Sequence, residues 1–490
     1  MPEKSKVSTQ HPAYTEMHSQ WKKGADCVEG QRAVHDAGKT YLPALKDQTV
    51  EEYNAYKLRA LFVNFSWRSV SAMVGMMFRK PMTVDVPESI KPLLNDVTMS
   101  GIGFYTLAQE AATEVMTTGR DGVLVDYPVD GTEGMTVAMA EAAGIRPIMA
   151  RYPATSILNW KTQRIGNATV LQMVVLQEEA TVPDPDNEYA HNTEARYRVL
   201  DLVQMQADPG DNTPSMPVYR QRVFRINDKK EDEQVGGDIF PLMAGKYLDR
   251  IPFYFLGVLT TTPDVDDPPM IDLFDVNLDH YRLSADHKHG LHFGGLPTAV
   301  ISGYTPENKG DKLYIGSSSA WVFPDPQATA KYLEFTGQGL KPIAEEMQAD
   351  EARMAILGAR LLTAEKKATE TSQTAQIHRA GESSVLSAIA HTIGTGLTMA
   401  LNTFCEWAGQ PGDWSVELNQ EFMPPEMSYQ ELTALVAAWQ SGAISMNVLF
   451  DQLKKSEIII DDLTLEEMQE QIGNAPLPKP DASTENGLTG

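Results

Sequence analysis

Between Ser372 and Ala408 apolar side chains recur every three or four residues: Ile377, Val385, Ile389, Ile393, Leu397, Leu401, Cys405 and Ala408. That period is helical, so all eight lie on one stripe. At 1.5 Å per residue the helix is ~50 Å long. A rod of that length with one apolar side needs a matching surface to cover it, and this limits the folds open to the chain. It does not read as a membrane span, because no stretch reaches the ~18–20 continuous apolar residues one requires. Gly394 and Gly396 predict a kink.

The remaining elements follow from the same patterns. Tyr56, Ala60, Val63, Trp67, Val70, Val74 and Met77 predict one amphipathic helix over Tyr53 to Phe78, stopped by Pro81. A second helix is expected over Thr106 to Thr118. Gly119-Arg120-Asp121-Gly122 then turns the chain into a short buried strand at Val123-Leu124-Val125. From 146 to 260 the β-branched runs Thr169–Gln177, Arg196–Gln204 and Val218–Ile226 predict antiparallel strands. The turn-rich stretches Val182–Asn187 and Asp208–Pro217 read as exposed loops between them. After Pro268-Pro269, helical spacing returns over Ile271 to Phe293. A compact β segment follows from Leu296 to Phe323, then a helix from about Pro326 to Leu357. Capping boxes at Ser428-x-x-Glu431 and Thr464-x-x-Glu467, with Ser445 as a further cap, predict short helices near the end. The stretch Asn474 to Gly490, rich in proline and small polar residues, reads as disordered.

Charge narrows the function. The chain has 490 residues, more than a single core usually serves, and a net charge of −25. Proteins that grip nucleic acid carry basic stripes that neutralise phosphates, so tight non-specific binding is excluded; an acidic wall past which DNA slides is not. Glu421 to Glu470 is acidic, with ten acidic against two basic residues. The polar Met1 to Gln10 lacks the apolar core of a secretory signal, so synthesis and use in the cytoplasm are expected. Cys27 and Cys405 are too far apart in sequence to form a metal-ligand set or a disulfide framework, and read as buried thiols.

Motifs for catalysis are weak. His280, His287, His289 and His292 cluster, yet their spacing does not put all four on one helical face and no nearby cysteine completes a zinc set. Asp264, Asp266 and Asp267, like Asp184 and Asp186, could hold Mg²⁺ for hydrolysis, but their proline-rich flanks read as solvated loops. Gly337-x-Gly339 lacks the rest of a dinucleotide fingerprint, and no phosphate-binding loop, nucleophile elbow or His-Glu-x-x-His is present. The expectation is a protein without catalytic residues, cofactor or metal.

Words of sequence carry a resemblance. Ile271 to Arg282 followed by Ser284-Ala285-Asp286, Gly294-Gly295-Leu296-Pro297 with Gly303-Tyr304, Tyr332 to Gly337, and Met354 to Leu362 stand in that order. Gly75 to Pro81, Gly119 to Gly122 with Asp126-Tyr127-Pro128, and Gly442-Ala443-Ile444-Ser445 extend the set from about Tyr53 to Asp462. Together they resemble the portal proteins of tailed bacteriophages, the head-to-tail connectors at one capsid vertex.

The resemblance implies an α+β portal fold: an α/β wing, a helical stem, a small β clip, a long kinked helix and a helical crown. On this chain the wing is 1–265, with a helical part at 13–130 and a β-rich part at 146–260. The first stem helix is 266–295, the clip 296–323 and the second stem helix 324–357. A tunnel loop at 358–372, the long wing helix at 373–410, a wing strand at 411–425, the crown at 426–473 and the tail at 474–490 complete it. The implied assembly is a ring of about twelve copies in the virion. Its implied partners are passing double-stranded DNA, the large terminase motor, the major capsid protein, scaffold, and head–tail adaptor and tail proteins, with no membrane. Lys366 and Lys367 are the expected DNA-facing residues of the tunnel loop. Tyr314, Trp321, Lys309 and Lys312 are the expected docking residues of the clip. Another virion wall or adaptor protein, or a metal-dependent hydrolase built on the aspartates, are the other readings. The apolar stripes of the three long helices are expected to pack between subunits.

Overall fold

The computed structural model describes residues 6–128, 144–184, 187–205, 216–227, 229–294, 298–302, 327, 329–333, 339–360, 385–420, 422, 429–440, 443–456 and 464–467. The chain divides into two compact units, Met1–Gln420 and Glu421–Gly490.

The first unit begins with helices. α1 (Pro12–Glu29) starts on a proline, whose missing N–H costs nothing there, and is capped by His11. α2 (Gln31–Ala37) follows, then α3 (Val50–Arg59) and α4 (Phe65–Met77). The single helix expected over Tyr53 to Phe78 is therefore two. The chain leaves the helix at Ala60 in an extended conformation and re-enters at Asn64, whose side chain accepts the Trp67 N–H at 2.7 Å. Tertiary partners described below hold the break. After β1 (Thr83–Asp85), α5 (Phe104–Thr118) ends at Gly119, whose φ of +80° is open to a residue without Cβ.

β2 (Arg120–Asp126) and β3 (Ile148–Pro153) then pair antiparallel. An antiparallel meander follows: β4 (Ile157–Ile165), β5 (Ala168–Asp184), β6 (Asn187–Met205), β7 (Met216–Ile226) and β8 (Asp232–Ile239), in sheet order 4-5-6-7-8. The three strands read from sequence sit inside β5, β6 and β7. Of the turn-rich stretch expected as a loop at Val182–Asn187, the described residues are instead drawn into the ladder, with Val182 opposite Asn192 and Pro183 opposite His191. Backbone pairing carried outward from the apolar part of the hairpin extends both strands past their own propensity. The small ladder β9 (Leu242–Met243) with β10 (Lys246–Tyr247) leads to β11 (Phe253–Gly257), which joins the other edge of β2. Tyr14 and Trp21 of α1 pack into one core with Leu124, Trp160, Leu200 and Tyr219.

The second half alternates. α6 (Ile271–Gly294) is followed by β12 (Thr298–Ser302), which pairs antiparallel with β13 (Thr329–Leu333), and then by α7 (Leu340–Arg360). The helix expected from about Pro326 thus begins at Leu340. Thr329 to Leu333 is a strand because β12 offers it a partner, and Gly337 and Gly339 are poor helix starters.

α8 (Val385–Trp407) is the described part of the long helix, and β14 (Ser415–Glu417) pairs back on β1. Its stripe of Ile389, Ile393, Leu397, Leu401 and Cys405 is fully buried. The helix is unbroken at Gly394 and Gly396. A Cβ on Gly394 would stand 3.1 Å from the Val416 carbonyl, and one on Gly396 2.2 Å from Leu256 and 3.1 Å from the Phe255 carbonyl. The glycines let β14 and β11 approach the helix closely.

The stripes of α6 and α8 are buried inside one chain, by Leu273, Phe274, Leu278 and Tyr281 on α6 and the α8 residues just named. The expectation that they pack between subunits is corrected: the helical layer and the β2–β3–β11 sheet supply the cover. The architecture is mixed α+β, as expected.

The second unit holds α9 (Tyr429–Gln440) and α10 (Met446–Lys455). Ser445 caps α10 by accepting the Val448 N–H, and Thr464 and Glu467 exchange bonds at 2.9 and 3.2 Å as a capping box. The tail at 474–490 lies outside the described residues.

Candidate functional site

The feature that stands apart from a closed core is the arm formed by α6, the β12–β13 hairpin and α7. The two helices run antiparallel: Leu340 packs over Gly290, and Glu351 Oε1 stands 3.5 Å from His280 Nε2. Burial on α6 ends at Ala285, and on α7 Asp350, Met354 and Gly358 are the buried positions. The root of the arm is therefore in the core, while Leu291 and Val300, described positions toward the hairpin, are exposed.

Polar side chains tie that root. Asn277 accepts from the Ser66 N–H at 3.1 Å and the Ser66 hydroxyl at 2.8 Å, and donates to the Val63 carbonyl at 2.9 Å. The Ser284 hydroxyl accepts the Leu61 N–H at 3.2 Å. These bonds satisfy the backbone freed at the α3–α4 break, which explains why an amphipathic run splits there. Tyr56 donates to Asp286 at 2.5 Å, and burial with that carboxylate pushes the phenol pKa up. Arg282 donates to the Tyr41 carbonyl at 2.9 Å. Arg353 reaches the buried Asp350 at 2.7 Å.

Two further buried networks fix the sheets behind the arm. Asp121 is fully buried and receives Arg151 at 3.4 Å, with Glu114 beyond; burial raises both carboxyl pKa values and Arg151 opposes it. Tyr152 donates to Glu178 at 2.5 Å. Arg198 holds the same carboxylate at 2.6 and 3.2 Å and reaches Gln221 at 3.0 Å. Gln221 then donates to Asp126 at 2.7 Å. This chain of bonds couples β2 to β5, β6 and β7. Arg120 is buried with its guanidinium over Trp160 at 3.9 Å and Phe255 at 4.6 Å, and burial lowers its pKa to about 9. Sequence reasoning treated Arg120 and Asp121 as turn residues. A charged pair one glycine ahead of the buried Val123-Leu124-Val125 strand is the signal that could have marked them as buried polar anchors.

The residues singled out from sequence fall as follows. Lys366 and Lys367, and Lys309, Lys312, Tyr314 and Trp321, lie outside the described residues. His280 is buried against Phe65 and Glu351, while His287 and His292 lie further along α6. Asp266 accepts the Val258 and Leu259 N–H groups at 3.0 and 2.9 Å, and Asp264 accepts the Thr262 hydroxyl at 2.9 Å. Both close the loop after β11. Among the described residues no group of three or more His, Cys, Asp or Glu side chains could hold a metal ion.

Comparison with known proteins places a family model, a domain of unknown function (DUF4055), on residues 269–408, the span of the arm and α8. No curated protein matches the chain. Among solved structures, the chain is similar to a chain in the neck of an empty GTA particle computed with C6 symmetry. The identity is 12% over 85% of this chain and 91% of that one, with a TM-score of 0.36. It is similar to a chain of the virion of a native gene transfer agent particle at 13% identity, over 85% and 91% of the two chains, with a TM-score of 0.35. A chain in the neck of the native particle computed with C12 symmetry matches at 12% identity over 90% and 99%, with a TM-score of 0.34.

Proposed function

We propose that this chain is a head-to-tail connector subunit of a phage-like virion, and specifically its portal: a ring of about twelve copies around a channel for DNA. The observation that carries the reading is the order of elements between 271 and 407. A helix rooted in the core leads to a β hairpin, a second helix returns antiparallel, and a long buried helix follows. That is the stem, clip, stem and wing-helix order of the sequence words that resemble portals.

On this reading the hairpin end is the clip, where the large terminase motor docks first and adaptor or tail proteins later. Tyr314, Trp321, Lys309 and Lys312 belong to it, and Lys366 and Lys367 to the loop that meets DNA. The major capsid protein and scaffold contact the ring from outside. The net charge of −25 suits a wall that does not hold phosphates. The buried bonds at the arm's root suit a part that transmits load without shearing. No catalytic step, cofactor or metal is part of the proposal. Because the α6 and α8 stripes are internally covered, ring contacts fall on other surfaces, and the exposed Val50 and Leu58 on α3 and Trp67 on α4 are available.

Native mass spectrometry and negative-stain microscopy of the full chain test it. Closed rings with a central hole are expected; a stable monomer at micromolar concentration overturns the portal reading. An assembly without a hole favours a virion wall or adaptor protein instead.

A further inference from the structure

We propose that residues 6–11 form an acid-released strap that ties the two edges of the β4–β8 meander, with His11 as its catch. The proposal does not depend on the portal reading. Val7 donates its N–H to Asp232 at the start of β8 at 2.7 Å. Four residues on, His11 donates its N–H to the Leu158 carbonyl of β4 at 2.9 Å, and Asn159 donates to the Thr9 carbonyl at 2.9 Å. β4 and β8 are the edge strands of that sheet. Flat, its five strands would stand ~19 Å from edge to edge. Four extended residues reach only ~14 Å. With its two terminal hydrogen bonds and the Asp232 side chain added, the strap spans the sheet from edge to edge and ties the two edges together. Val7, Ala13 and Met17 pack against the core inside it.

The catch works only when neutral. His11 Nδ1 accepts the Ala13 N–H at 3.2 Å as the N-cap of α1, which an imidazolium cannot do. The ring also stacks on Trp160 with centroids 4.0 Å apart, while Arg120 stands over the same indole at 3.9 Å. Two groups that close to one centroid occupy its opposite faces. Protonation would therefore put a second cation on a ring already holding one, at the positive end of α1. The charged groups around the catch are Arg120 from β2 and, acting on Arg120, Asp264 and Asp266. Tyr14 and His18 follow on α1. Burial and Arg120 lower the His11 pKa from its ordinary value of 6.5. The unfolded or released segment binds the proton more readily, so the strap is held above that value and loses stability as pH falls below it.

Hydrogen-exchange mass spectrometry on the full chain, at about pH 7.5 and about pH 5 and corrected for intrinsic rates, reads the strap directly. Protection of peptides covering residues 6–16 is expected to fall at least about tenfold in acid, with α8 peptides unchanged. The His11→Asn variant keeps a cap that does not titrate, and its strap is expected to stay equally protected at both pH values. Unchanged protection of the parent, equal loss in both proteins, or loss together with α8 would each overturn the proposal.

Discussion

Asn277 in the middle of α6 is clamped to Ser66 at the start of α4: one side-chain oxygen accepts both the backbone N–H and the hydroxyl of Ser66, at 3.1 and 2.8 Å. Its amide donates to Val63, so one buried residue serves the break between two helices and the root of the arm. Asn277→Leu leaves a buried N–H, a hydroxyl and a carbonyl without that partner. A loss of about 3 kcal/mol in unfolding free energy is expected. A urea midpoint equal to the parent's would show that the clamp contributes nothing.

Gly396 and Gly75 make a contrasting pair. Gly396→Ala drives a methyl into Leu256 and the Phe255 carbonyl, so a loss of about 1–3 kcal/mol is expected. Gly75 lies within α4 with nothing within 4 Å of an added Cβ. There Gly75→Ala is expected to stabilise by about 0.5–1 kcal/mol through backbone entropy. Thermal melts of the two variants should move in opposite directions, and a shared direction would remove the packing account of Gly396.

Arg120 predicts a gain from removing a charge. Among the described residues none of its guanidinium nitrogens has a hydrogen-bond partner, and the rings of Trp160 and Phe255 with the charges of Asp264 and Asp266 are what offset the lost hydration. Arg120→Met keeps the volume and the contact with both rings. It is expected to be neutral or more stable by about 1–3 kcal/mol, as for other buried charges replaced by apolar groups. A clear fall in the denaturation midpoint would show that the cation itself is needed.

Lys366 and Lys367 carry the prediction specific to the portal reading. If their loop meets DNA, changing both to Glu leaves rings intact but lowers retention of packaged DNA, because the phosphate contacts are lost. Raising salt should shrink the difference as the charges are screened. Retention equal to the parent at low salt would remove these lysines from the channel.

Local pattern was enough for several elements. α5, α6 and the strands inside β5, β6 and β7 each carry a full apolar period and local stop signals, so neighbouring residues decide them. The Ser445 cap and the Thr464–Glu467 box are equally local. The order of elements, and with it the proposed function, was therefore legible along the chain.

Tertiary partners decided the rest. Periodicity ran straight through Ala60 to Asn64, but Asn277 and Ser284, more than two hundred residues away, satisfy the opened backbone there. Thr329 to Leu333 is a strand because Thr298 to Ser302 lies beside it. Gly394 and Gly396 carry no local sign that β14 and β11 press on that face of α8. Burial of Arg120 and Asp121, and the tie made by His11, depend on which strands meet. Such contacts join residues far apart in sequence, and no local period records them.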